Sequence, residues 1–322
     1  MNFDQILGHD RQKEILRQSL AHGRIAHAYL FSGPEGIGKR LMALALARAI
    51  VCEQQRGCGN CLACRKIDHQ NHPDLHILES DGQSIKIDQV RALQRDLNLK
   101  PLEATCKICL VENAEAMTTG AANALLKTLE EPRGDALLIL LTDQPNALLE
   151  TIRSRCQHLP FSRHPIARIQ AELEKQLAID ATESHVLAAL SEGSFKKAFG
   201  KDRELYLEQR RELLKTLTGL SSGSIVPLLD FAEKLAAEKA ALADILEIFQ
   251  AFYRDVMMSL QGRERDDIVN LDLLDTIRRM AQRETLATIL GKLDALSAAR
   301  RQLDRNVNRQ LAMEVLLMKL AA

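Results

Sequence analysis

Residues 33–40 read Gly-Pro-Glu-Gly-Ile-Gly-Lys-Arg. The spacing G-x-x-x-x-G-K is that of a phosphate-binding loop, whose backbone N–H groups and lysine cradle nucleotide phosphates. It constrains the fold because such a loop joins a buried strand to the start of a helix. The flanks agree. Residues 28–32, Ala-Tyr-Leu-Phe-Ser, form a short apolar run, and residues 40–52 a strongly apolar helix. Gly33, Gly36, Gly38 and Lys39 are therefore candidate nucleotide-binding residues. The motif ends in a Ser or Thr that holds magnesium, and here the residue is Arg40. Arg40 has two readings: a surface residue of the first helical turn, or a guanidinium placed where magnesium would sit.

Further along, a second chemical position has changed. Residues 107–111 predict an apolar strand followed by Glu112-Asn113-Ala114-Glu115. Phosphate-loop ATPases end this strand in Asp-Glu, the Asp for magnesium and the Glu to polarise the attacking water. Glu112 takes the first place and Asn113 the second, and an amide cannot accept a proton from water at pH 7. Three departures at one chemical centre argue that hydrolysis is lost.

Cys52, Cys58, Cys61 and Cys64 are spaced C-x5-C-x2-C-x2-C. Four thiolates within one short insertion, 52–64, can close on a single tetrahedral ion, and a site with no open position is structural. Gly57 and Gly59 let the backbone turn between ligands. Unrelated buried thiols are the bland alternative, but this polar, turn-rich stretch offers no core. Iron–sulfur clusters use similar spacing, yet no redox module accompanies it, so one zinc ion is expected. His69 and His72 lie close enough to substitute for a cysteine, or are plain loop residues. Cys106 and Cys109 are read as core thiols on opposite faces of a strand.

Short apolar strands at 75–78, 107–112, 136–142 and 158–161 alternate with helices at 88–97, opened by Asp88, and 119–129. This pattern gives a parallel sheet covered on both faces. Prolines at 160 and 165 mark a boundary, after which the signal is helical throughout, with a weaker break at 201–203. Three parts follow: an α/β domain at 1–163, a small helical unit at 164–202 and an all-helical domain at 203–322. At 322 residues, two or three domains are expected, each of roughly 100–200 residues.

Lys plus Arg number 43 and Asp plus Glu 43. A neutral chain has no global attraction for nucleic acid. With 3% aromatic residues and no Trp, base stacking is not its mode of action. The first ten residues lack a basic start and apolar core. The longest apolar run, 41–52, is broken by Arg48 and is shorter than the ~20 residues that span a bilayer. A cytoplasmic protein without membrane contact is expected, and seven cysteines there point to metal or buried thiols before disulfides.

Residues 123–132, Asn-Ala-Leu-Leu-Lys-Thr-Leu-Glu-Glu-Pro, followed by Ser154-Arg155-Cys156, resemble the AAA+ clamp-loader family. The resemblance covers the whole chain, including His27-Ala-Tyr-Leu-Phe-Ser, Ile87-Asp-Gln-Val-Arg91 and the segment opened by Asn308. With its cysteine cluster and altered nucleotide site, the chain is similar to the family's non-hydrolysing stator subunits. The resemblance implies a RecA-like AAA+ domain bearing the zinc module, a helical lid and a helical collar. It implies five subunits joined through their collars, opening the sliding clamp and loading it on primed DNA within a bacterial DNA-directed DNA polymerase holoenzyme.

By the same resemblance, Arg155 reaches in trans into a neighbouring subunit's ATP site. A guanidinium placed so is worth ~10³–10⁵ in rate in other systems. Thr142 matches the family's first sensor. Lys196 falls where active members carry the second-sensor arginine, and a lysine lacks the bidentate fork. Little ATP binding and no magnesium are expected. Arg91 and Arg95 are read as solvated charge, with DNA contact inside the ring as the other reading. Two competing functions remain: an active ATPase, since Lys39 is intact, and a zinc-dependent DNA-binding protein.

Overall fold

The computed structural model describes residues 2–321 except 81, 83, 132–134, 201–202, 222, 224, 239–240, 264–266 and 305–306. Pro132 of the signature and the break at 201–202 thus lie outside the described residues. The chain forms two compact units, Met1–Pro165 with Glu192–Lys197, and Ile166–Ser191 with Ala198–Ala322.

In chain order the first unit holds α1 (Asp10–Ala21), β1 (Ala28–Ser32), α2 (Lys39–Val51), α3 (Leu62–Asp68), β2 (Leu75–Leu78) and α4 (Ile87–Leu97). There follow β3 (Lys107–Val111), α5 (Thr119–Glu130), β4 (Ala136–Thr142), α6 (Glu150–Arg153) and β5 (Gln157–Pro160). The strands make one parallel sheet in the order β2-β3-β4-β1-β5.

Side chains alternate across this sheet, as the period of two requires. Tyr29, Phe31, Ile108, Leu110, Ile139 and Leu141 pack with Leu16 of α1 and Met42 and Leu46 of α2. Leu30, Cys109, Val111, Leu138 and Leu140 pack on the opposite side with Val90, Leu125 and Ile152 of α4, α5 and α6. Both faces are buried, so the strands read as unbroken apolar runs rather than alternating ones. The expected α/β architecture is the one found. Cys106 packs on the first face and Cys109 on the second, and burial pushes the Cys109 thiol up to about 12.

Three local details differ from expectation. Asp88 does not open α4: Lys86 holds the N-cap position and Asp88 sits in the first turn, where its charge favours the helix dipole. Helix α3, inside the cysteine-rich region, is not foreseen, because its N-cap is a thiol, Cys61 Sγ accepting from Cys64 N. Within the stretch read as helical throughout, residues 268–273 join no α-helix and the next one begins only at Leu274, because Val269 N and Asn270 N donate to the Asp255 carboxylate.

The second unit is helical: α7 (Ile166–Leu177), α8 (Ala181–Leu190), then, beyond α9 (Phe195–Ala198), α10 (Arg203–Gly219) and α11 (Ile225–Ala237). It continues with α12 (Leu242–Leu260), α13 (Leu274–Ala281), α14 (Leu286–Asp304) and α15 (Arg309–Ala321). Helix α12 supplies Phe249, Phe252, Tyr253 and Val256 to a core shared with Ile277, Ile289, Met313 and Leu317. Burying each such side chain contributes roughly 1.5–3 kcal/mol. Among the described residues no helix is long and apolar enough to cross a membrane.

Candidate functional site

The phosphate-type loop sits at the C-terminal end of β1, the central end of the sheet where α/β proteins place ligands. Gly33, Gly36 and Gly38 all have positive φ, at 147°, 74° and 108°. At Gly36 a Cβ would also collide with Ser194 Oγ. The loop is therefore built for glycine by conformation and by contact. Ser194 Oγ donates to Gly36 O at 3.0 Å, and Lys196 Nζ meets Glu35 Oε1 at 3.0 Å. Behind the loop, the His9 and His164 rings approach within 4.4 Å, and each places Nε2 near Ile37 O, at 2.8 and 3.2 Å.

Lys39 turns its ammonium into its own loop, donating to Gly33 O and, at 2.8 Å, to Pro34 O. Burial holds its pKa below the usual lysine value, against the pull of the Asp143, Glu115 and Glu35 carboxylates. Burial and the neighbouring Asp143 push the Glu115 carboxyl up. Thr142, buried at the end of β4, accepts from Gln144 N at 3.1 Å and gives its carbonyl to Gly33 N.

Arg40 decides the character of the site. Its Nε donates to Glu112 Oε1, and its Nη2 reaches Gln70 Oε1 at 3.3 Å and Glu79 Oε1 at 3.8 Å. Arg40 is a partly exposed residue of the first turn of α2, and its guanidinium is paired with Glu112. Its cation is bound to the acid that would serve a metal. Asn113 follows in the left-handed conformation, φ 50°, which Asn tolerates, and its side chain is exposed. Glu112 is thus ion-paired with Arg40, and residue 113 carries an amide in place of a carboxylate.

Arg155 lies between α6 and β5. Its Nη1 donates to Thr151 O at 3.0 Å and Ser154 Oγ at 3.4 Å, and its Nη2 is 2.7 Å from Glu130 Oε1 at the end of α5. The Arg155 side chain is 36% exposed. Next to it the Cys156 thiol is buried and pushed up to about 11 by that burial, a packing residue rather than a nucleophile. Arg91 is exposed and lies 3.8 Å from Asp88.

The four cysteines converge. Their sulfurs all lie within 4.8 Å of one another, with Cys58 and Cys64 at 3.9 Å. A tetrahedral ion with sulfur at ≈ 2.3 Å needs sulfurs about 3.8 Å apart, so the donor set fits zinc. Backbone N–H groups already point at the sulfurs: Gln54 and Cys58 donate to Cys52, Cys61 to Cys58, and Cys64 to Cys61. Burial opposes ionisation of Cys52, but these amide bonds bring its thiol down to about 6. Gly57 and Gly59 have φ of 67° and 81°, as a tight turn between ligands requires. His72 stands apart, buried, its Nδ1 accepting from Asp74 N at 3.1 Å.

Sequence reasoning misses the partners. Glu130 lies inside the quoted signature and Glu115 beside Asn113, so both residues are in view. What the sequence does not show is that the fold carries Glu130 to Arg155 and Glu115 to Asp143.

Residues 8–165 match the family model described as DNA polymerase III, delta subunit, and residues 204–322 match DNA polymerase III, delta subunit, C terminal. DNA polymerase III subunit delta' of Bacillus subtilis is 33% identical over 315 residues, covering 96% of this chain and 95% of that protein. The same-named subunit of Pseudomonas aeruginosa is 33% identical over 322 residues, covering 97% and 96%. DNA polymerase III subunit tau of Bacillus subtilis is 24% identical over 345 residues, covering 99% of this chain and 61% of that protein.

Proposed function

The chain belongs to the family of DNA polymerase III delta' subunits, components of the clamp loader, and from that premise we propose that it is the loader's non-hydrolysing stator. In this role it joins other clamp-loader subunits in a five-membered ring. Residues 1–163 form the AAA+ domain, 164–202 the lid and 203–322 the collar that holds the ring together. The assembly opens the sliding clamp and loads it on primed DNA in the cytoplasm.

The observation that carries this reading is the bond from Arg40 Nε to Glu112. A guanidinium occupies the acceptor that magnesium would need, Asn113 offers no base, and Lys39 is engaged by loop carbonyls. Gly33, Gly36, Gly38, Lys39 and Thr142 are then the remnant of a nucleotide site. Arg155 instead acts in trans, on phosphate held by a neighbouring subunit. Its side chain is partly exposed at the surface, and charge that develops on a transferring phosphoryl group is what a cation there stabilises.

Cys52, Cys58, Cys61 and Cys64 would hold one zinc ion, which would cross-link the insertion between α2 and α3. Cys61 caps α3 and Cys52 ends α2, so the ligands tie two helices together.

Phosphate release from ATP by the purified chain tests the central claim. The expected result is no magnesium-dependent turnover. Turnover that disappears in Lys39→Ala would establish an active ATPase and overturn the stator reading.

A further inference from the structure

A cleft of about 380 Å³ opens in the second unit between α10, α12 and α13. Three cations line it: Arg211 and Lys215, one turn apart on α10, and Arg279 of α13. Its apolar contact surface is the half-buried Leu273, backed by the fully buried Leu214 and Phe252. The only acid in its wall, among the described residues, is Asp272.

Asp272 does not neutralise the cleft. Arg210, 0% exposed, donates to its two oxygens at 3.0 and 2.6 Å, and Arg211 Nε donates at 3.2 Å. Burial opposes ionisation of Asp272, but the two arginines hold its carboxyl below the usual range. Arg210 balances Asp272, which leaves Arg211, Lys215 and Arg279 as surplus positive charge. The Lys215 ammonium has no ion-pair partner among the described residues. Arg279 Nη2 is steadied by Thr276 Oγ1 at 3.1 Å.

The wall is also rigid. Arg210 donates twice to Asn270 Oδ1, at 3.0 and 2.8 Å, and Asn270 Nδ2 donates to the buried Asp255 at 2.6 Å. A fully partnered polar network of this kind fixes a geometry that loose surface charges do not have.

We propose that this cleft binds an acidic peptide segment of another protein, its carboxylates on Arg211, Lys215 and Arg279 and an apolar side chain against the half-buried Leu273. Charge complementarity selects an acidic ligand, and Leu273 gives it an apolar contact beside the cations. Nucleic acid is disfavoured because the only aromatic ring lining the cleft, Phe252, is fully buried, so no base can stack. The volume suits one or two side chains, at the small end of ligand clefts.

The probe is a fluorescein-labelled peptide of alternating Asp and Leu, titrated into the full-length chain and followed by anisotropy. Saturable binding is expected. Reversing one exposed cation removes one attraction and adds a repulsion of similar size, which changes affinity by about three- to tenfold, so Lys215→Glu and Arg279→Glu should each weaken it by that much. Lys234→Glu, on the exposed side of α11, should leave it unchanged. An Asn-for-Asp peptide should not bind. Equal binding of that peptide, an equal loss in Lys234→Glu, or no binding by the wild type would each overturn the proposal. So would a single-stranded oligonucleotide whose binding, unlike the peptide's, falls in the two cleft variants. Melting temperatures confirm folding, and Lys215→Gln and Arg279→Gln, with smaller losses, replace any reversal that unfolds.

Discussion

The Arg155 guanidinium is held 2.7 Å from the Glu130 carboxylate, joining the turn after α6 to the last residue of α5. Both side chains are more than a third exposed, 36% and 48%, so the pair contributes only ~0.2–1 kcal/mol to stability. A contact so weak in folding terms sets direction instead. It holds the arginine at the surface with one edge on its own chain.

From this follows a separation of stability from activity. Arg155→Ala should leave the melting temperature within about 2–4 °C of wild type. In the assembled loader, turnover at the neighbouring site should fall by about 10³-fold or more, and steady-state ATPase by that site's share. ATPase assays on reconstituted loaders, with calorimetry of the single chain, check both halves. Unchanged loader ATPase would remove the trans role from Arg155.

Gly36 gives a test of how the loop is closed. Its φ of 74° strains any other residue, and Ser194 Oγ already fills the space an added methyl would take, so Gly36→Ala is costly twice over. The expected loss is about 1–3 kcal/mol. Ser194→Gly in the same chain should recover the steric part and leave the conformational part. Urea unfolding of the two variants measures the split, and full recovery would mean that strain at residue 36 is negligible.

How much of this can be read from sequence depends on how local each feature is. The strands are legible because sheets buried on both faces need continuous apolar runs, and 75–78 and 136–142 fall where those runs predict them, to the residue. The cysteine site is legible because its ligands lie close along the chain. Partnerships are not. Arg40 and Glu112 are 72 residues apart, and only the sheet order β3-β4-β1 brings the end of β3 toward the start of α2. The same holds for Arg155 with Glu130. Sequence marks these residues as unusual, while the fold decides what each one touches.

Removing one zinc ligand should have a local effect. Cys58→Ser is expected to lower bound zinc from about one equivalent to a small fraction, since a closed four-ligand site rarely survives with three. Amide exchange should rise across 52–68 while the strands of the sheet stay protected, because their core is made by α1, α2, α4 and α5. Metal analysis and hydrogen exchange measure the two effects. Loss of protection throughout the sheet would show that the ion supports the whole domain.

Asp74 should give the chain a defined acid sensitivity. It is fully buried before β2, and its carboxylate accepts from Leu102 N and Glu103 N at 2.7 Å and Ala104 N at 2.8 Å. Burial raises a carboxyl, but here the three amides prevail and the pKa lies below the usual aspartate value. A depressed folded pKa means stability that is complete above the unfolded value of about 3.9 and lost as pH falls through the folded one. Asp74→Asn should therefore cost roughly 2–4 kcal/mol at pH 7, and the gap to wild type should narrow in the acid range. Nearby His72, whose pKa burial lowers, also destabilises the fold on acidification. It does so in both proteins from about pH 6.5 downward, and more in Asp74→Asn, because the Asp74 carboxylate raises the His72 pKa in the wild type, so the narrowing due to Asp74 is read between pH 5 and 3. Urea unfolding at pH 7, 5 and 3 measures that difference, and a gap independent of pH would mean that Asp74 is not held as a carboxylate.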